Sequence, residues 1–260
     1  MKIHLCGLLA AVFLLTVEHV RGQEIDSTTI SAVYDPASNR LFWMSTGRVM
    51  ASERGSIGFM GAPYLIPWFP YATFIQGGYA PNSFLQFNLT GSLSYFSIGT
   101  KIQPIQTTGP LLGIAVGADF GFYPQNFAIA SDNRVQALNI AASFGSEQVA
   151  AHVNVMQVIQ NNYSTSGVIP SYVQLGLSAQ LGKGKRIQSK LMAELWFVNE
   201  YYKKELQLGL LMVGMRSFSK SFVWEVAFLF GPRISFGGHG SSNDKLQFIP
   251  LPYASFMWYI

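Results

Sequence analysis

Charged residues make up 12% of the 260-residue chain, about half the share usual in soluble domains, while aromatics reach 14%. A net charge of +4, scattered along the sequence, excludes a nucleic-acid binder, and the single cysteine excludes a disulfide framework. Beyond the first residues no apolar run is long enough for a membrane helix, so the composition is that of a membrane protein without its helices.

The chain opens as an export signal over 1–22. Lys2 is followed by the apolar run Leu5 to Val17, and Val20-Arg21-Gly22 precedes a cut near Gln23. That run falls short of the roughly 20 residues that span a bilayer. Cys6 lies within it and comes too early for a lipobox. Residues 23–55 follow as an amino-terminal segment carrying Arg40, Arg48 and Arg54, either periplasmic or folded into what comes next.

From residue 56 the pattern is β. Strands are predicted near 56–62 and 70–78, and from Leu85 onward apolar residues alternate with period two. In 94–103, Phe96, Ile98 and Ile102 oppose Ser97, Gly99 and Lys101. In 111–122, Ile114, Val116 and Phe120 oppose Gly113, Gly117 and Asp119. The stripe continues through Leu138 and Ile140, Val153 and Val155, Leu175 and Leu177, Leu191 and Leu195, and Val226 and Phe228. Leu206–Met215 is apolar on both faces.

The links alternate too. Those at 79–83, 104–110, 145–148, 183–186 and 216–220 are short, with turn residues such as Gly109-Pro110 and Gly182-Lys183-Gly184. Between them fall longer loops at 123–133, 160–170, 198–203 and 231–246, with Gly91-Ser92-Leu93 the exception. Short turns at one end and long loops at the other predict an antiparallel transmembrane β-barrel of ten to twelve strands over 56–260. An even strand number puts both termini at the short-turn, periplasmic end. A soluble sandwich or lipocalin-like cup is the rival. It would show Lys and Glu on its second face, whereas this face is mostly Gly, Ser, Ala, Asn and Gln, as a narrow barrel interior needs.

The ending "PLPYASFMWYI", with Phe256, Trp258 and Ile260 in alternation, resembles the terminal strand of bacterial outer-membrane proteins that the barrel-assembly machinery reads. Ile260 stands where Phe or Trp is usual. Arg40-Leu41-Phe42, Thr46-Gly47-Arg48 and Gly55-Ser56-Ile57-Gly58 resemble the start of a poorly characterised outer-membrane barrel family common in Bacteroidetes-like genomes, with Ser52-Glu53-Arg54-Gly55 replacing its Lys-Gly-Glu. The resemblance implies an outer-membrane location in a Gram-negative bacterium, with lipids and lipopolysaccharide as surroundings, and brings no activity.

Inward parity assigns Lys101, Asp119, His152, Lys190, Glu194 and Glu225 to the lumen. The favoured reading is a salt-bridged lumen that fills a small barrel. The other is a charged constriction that selects small solutes. Three carboxylates in one low-dielectric volume require cations. Arg40, Arg48 and Arg54 are therefore expected to meet them, with the amino-terminal segment as a plug.

A passive pore or a structural barrel is the expected function, without catalytic residues, metal or cofactor. Beyond the signal only His152 and His239 remain as imidazole bases, and Ser241, Ser242 and Asp244 beside His239 lie in one loop without the framework a triad needs. An outer-membrane barrel hydrolase or acyltransferase and a soluble ligand binder are the alternatives. The sequons at Asn88 and Asn162 read as chance.

Overall fold

The computed structural model describes residues 35–61, 73–92, 95–106, 111–122, 134–146, 148–161, 170–181, 187–200, 206–230 and 251–260. The signal 1–22, the start of the segment that follows it, the turn at 183–186, Asn162, the loops 123–133 and 231–246, and His239 with its neighbours lie outside these residues.

Twelve strands run in chain order: β1 Arg54–Gly61, β2 Thr73–Asn82, β3 Leu85–Gly91, β4 Phe96–Gln106, β5 Leu111–Phe122, β6 Arg134–Gly145, β7 Val149–Asn161, β8 Pro170–Leu181, β9 Gln188–Glu200, β10 Leu206–Phe218, β11 Phe222–Phe230 and β12 Leu251–Tyr259. Each pairs with its sequence neighbours, and β1 pairs antiparallel with β12 to close the barrel. Closure satisfies every strand edge. At the seam Ser56 faces Tyr259 and Gly61 faces Ala254. Gly55 and Ile260 exchange backbone hydrogen bonds of 3.1 and 3.0 Å.

The alternation places side chains as the parity predicts. Val116, Phe120, Leu138, Ile140, Val226 and Phe228 are exposed on the outer face, while Asn139, Ser143, Asn154, Gln174 and Glu225 are buried inside. A closed barrel with an apolar outside and a polar inside has the transmembrane architecture, since no backbone group is left unpaired toward lipid.

Several boundaries differ from expectation: β4 runs on to Gln106 and β9 to Glu200, into the links expected at 104–110 and 198–203. β1 begins at Arg54, ahead of residue 56. β2 runs on to Asn82 because the Asn82 side chain accepts the Phe84 and Leu85 N–H groups, closing a turn of two residues. β10 runs through Phe218 rather than ending in a link at 216–220, and the turn is confined to Ser219–Ser221, where Ser219 N–H donates to the Phe222 carbonyl.

The barrel interior holds residues 35–50. Arg40 bridges Ser45, Leu41 N–H donates to the Met44 carbonyl and Thr46 N–H to that of Asn39, so the stretch folds into a small hairpin. Leu41, Phe42 and Met44 are buried against Met60, Met192, Met212, Leu229 and Tyr253 of the inner wall. That patch is apolar because it faces the hairpin rather than water. Wall side chains bond the segment's backbone elsewhere: Ser143 takes the Gly47 N–H, Gln103 the Val49 N–H and Gln86 the Met50 N–H. Glu53, with a φ of 60°, turns the chain out of the lumen into β1, a conformation that side chains other than glycine seldom adopt.

Candidate functional site

The inner face of β10 supplies Arg216, whose side chain makes five hydrogen bonds. Parity with Met212 and Gly214 points it inward, where it is 1% exposed. Its Nη1 donates to Asp35 Oδ2 at 3.1 Å and its Nε to Glu225 Oε1 at 2.8 Å. Its remaining N–H groups reach the carbonyls of Ala37, Arg40 and Leu41. Lys190 on β9 completes the Asp35 site at 3.1 Å, and Arg40 meets Glu225 at 3.1 Å. Ser255 also donates to Glu225, at 2.7 Å. Segment and wall are thus joined by one buried network in which Arg40, Lys190 and Arg216 answer Asp35 and Glu225.

Burial alone would raise the Asp35 pKa, but Lys190 and Arg216 outweigh it and hold the carboxyl well below the usual carboxylate range. Burial would likewise lower that of Arg40, and Glu225, with Tyr253 and Tyr259, raises it above the usual value. Both groups keep their charge in the lumen.

The other sequence-singled residues surround this hub, some lining the same cavities as its members. Glu194 accepts the Trp43 backbone N–H at 3.1 Å and the Trp196 indole N–H, so indole and backbone donors meet it in place of an arginine side chain. Asp119 accepts from Asn139 Nδ2 at 3.2 Å, and Lys101 donates to the Asn39 carbonyl at 2.8 Å. These four residues line one cavity with Arg40 and Trp43. Arg48 lines a smaller cavity with His152 and Ser178. Arg54 lies on β1 at the barrel rim, where its guanidinium donates to the Lys220 carbonyl, away from the carboxylates it was expected to meet.

His152 is bracketed by hydroxyls, with Ser143 Oγ 2.8 Å from Nδ1 and Ser178 Oγ 3.3 Å from Nε2. Ser143 also takes the Gly47 N–H, so this chain ties the segment to β6, β7 and β8. Among the described residues there is no group of three His, Cys, Asp or Glu side chains able to hold a metal.

Sequence reasoning missed Arg216 and Asp35. Arg216 was assigned to a link because the apolar residues before it, on both faces, hid the strand's phase. Asp35 lies in no periodic element and had no local signal.

No family model and no curated relative matches the chain. A solved structure that it resembles is LpxR from Salmonella typhimurium, 9% identical over 80% of this chain and 99% of that chain, with a TM-score of 0.41. LpxR is itself an outer-membrane enzyme. Against that likeness the expectation that the chain is not an enzyme does not stand.

Proposed function

We propose that this chain is an outer-membrane barrel of a Gram-negative bacterium, exported by its amino-terminal signal, with a porin-like lumen closed by its own residues 35–50. The observation that carries the reading is the buried network between segment and wall, centred on Arg216 with Asp35 and Glu225. The apolar outer face supports contact with lipid and lipopolysaccharide. The alternation up to Trp258 supports recognition by the barrel-assembly machinery, and the stretch 39–61 supports kinship with the barrel family of Bacteroidetes-like genomes that it resembles. Both termini and the short turns then face the periplasm.

Planar-bilayer recordings test the closed lumen. The full chain is expected to conduct little, and deletion of 23–50 to open stable steps. On the emptied wall Lys101, Lys190 and Arg216 stand against Asp119, Glu194 and Glu225, so the opened pore discriminates weakly by charge. Equal conductance from both forms would rule out the plug.

A barrel enzyme is the second reading. The observation that favours it is the Ser143 hydroxyl beside the His152 imidazole, the minimal pairing of nucleophile and base. Hydrolysis of an ester-linked lipid by the purified chain, abolished by Ser143→Ala, would establish it and displace the closed pore.

A further inference from the structure

Asp35 and Glu225 hold the base of the hairpin through charge, each met by Arg216 and by a second cation, Lys190 or Arg40. Glu194 holds the tip by other means. It is fully buried, and among the described residues no ion pair reaches it. Leu41 N–H donates to the Met44 carbonyl, so 41–44 is the turn of the hairpin. The Trp43 N–H in that turn donates to Glu194 Oε2 at 3.1 Å, and the Trp196 indole N–H donates to Oε1.

Neither donor can exchange its role. An amide or indole N–H only donates, whereas a carboxyl group accepts on both oxygens when ionised and donates from one of them when protonated. The ionised form of Glu194 therefore suits both N–H groups at once. A proton on either oxygen sets O–H against N–H at one of the two contacts, and a buried donor deprived of its acceptor is costly. The tip is thus held by a bond that one proton weakens.

The wall around Glu194 is shaped for the tip. Gly176 on β8 lies opposite it in the strand register, and a Cβ there would crowd the Leu41 side chain. The Trp43 ring stands edge-on to Trp196 at 6.3 Å and to Tyr253 at 5.7 Å. The neighbours in register, Gly176 on β8 and Met212 on β10, do not titrate. The charged and titratable groups nearby are engaged elsewhere. Lys190, on the same strand, is bonded to Asp35 and Arg40 of the hairpin to Glu225, while the Tyr253 hydroxyl of β12 turns to Glu225 at 3.4 Å.

We propose that Glu194 is a proton-operated latch on the hairpin tip. Ionised, it holds the turn 41–44 against β9. Protonated, it releases the backbone of that turn while the ion pairs of Asp35 and Glu225 keep the base seated. The latch goes beyond the closed-pore reading and does not depend on it, since amide exchange in detergent micelles is read whether or not the barrel conducts.

Hydrogen–deuterium exchange of the full chain in micelles tests it, read by mass spectrometry over 41–46 and corrected for the intrinsic rate. The comparison runs between pH 7 and pH 3, on either side of the ordinary glutamate value of about 4.3. Exchange over 41–46 is expected to rise about tenfold or more in acid. Glu194→Gln presents one oxygen and one donor group, as the protonated acid does, and should exchange fast at both pH values. Asp35→Asn, altered at the base, should keep the acid step. Where Glu194→Gln loses the folded, heat-modifiable migration, Trp196→Phe takes its place: with one donor fewer on the carboxylate, the step should move up by about one pH unit. No step in the parent chain, an undiminished step in Glu194→Gln, a step abolished by Asp35→Asn, or one unmoved in Trp196→Phe would overturn the proposal.

Discussion

Arg40 and Glu225 are separated by 185 positions in the chain and by 3.1 Å in the lumen. Glu225 binds Arg216 from the other side, and Arg216 reaches Asp35. Two carboxylates, one on β11 and one on the amino-terminal segment, thus share a guanidinium from β10. Each partner is buried, so removing one leaves the others charged and out of water, at a cost of several kcal/mol.

Arg216→Met tests that sharing. It strips a partner from both Asp35 and Glu225 and takes one donor from three segment carbonyls, of which those of Ala37 and Leu41 keep another from Arg40. Folding stability should fall by about 3–5 kcal/mol, read as a lower urea midpoint by tryptophan fluorescence in micelles. Arg54→Ala at the rim should shift stability by no more than about 0.5 kcal/mol. Similar shifts for the two would argue against a hub at Arg216.

Acid should loosen the segment through Asp35. Its folded pKa is depressed, so its contribution is fully present above the ordinary carboxylate value of about 3.9 and is lost as pH falls toward the folded value. The stability gap between wild type and Asp35→Asn should be widest at neutral pH and narrow steadily below about pH 4. Urea titrations across pH 2–7 measure it, and a gap that widens in acid would reverse the sign.

The outer face separates a lipid-facing barrel from one in water. Ile140→Lys and Val116→Lys should each cost about 2–4 kcal/mol in bilayers if those residues lie near mid-membrane depth. In water, lysine at so exposed a position would change stability by about 0.5 kcal/mol or less. Refolding into lipid vesicles under a urea series distinguishes the two.

Gly47 approaches the backbone of Gly113 and Ser143 so closely that a Cβ has no room. Gly47→Ala should lift the segment from the wall, at about 1–3 kcal/mol. A cysteine at Val49, 5% exposed, should resist maleimide in the parent and react several-fold faster beside Gly47→Ala. Unchanged labelling would show that the wall yields instead.

The faces of β11 were legible from sequence because Val223, Glu225 and Ala227 alternate cleanly with Val226 and Phe228. β10 was not, and the reason is physical. Met212 is buried in the lumen against Phe42 and Met44, so the strand is apolar on its inner face as well as its outer one. What read as weak phase was the footprint of the hairpin. The arginines showed that cations were available to the lumen, but parity carries no information on which acid each meets. Arg40 found Glu225, Arg54 stayed at the rim, and Asp35 lay outside every period.

The seam between β1 and β12 has a consequence for biogenesis. The cylinder is sealed by Gly55 and Ile260 together with Ser56 and Tyr259, contacts that join the first strand to the twelfth. Contacts of such separation form late and slowly, so the barrel has no closed form until β12 has met β1. The hairpin at 40–45 precedes β1 and ends up enclosed. It must either be gathered in before the sheet curls shut or threaded afterwards through an open end, which makes the timing of closure, as well as its geometry, part of how the lumen comes to be filled.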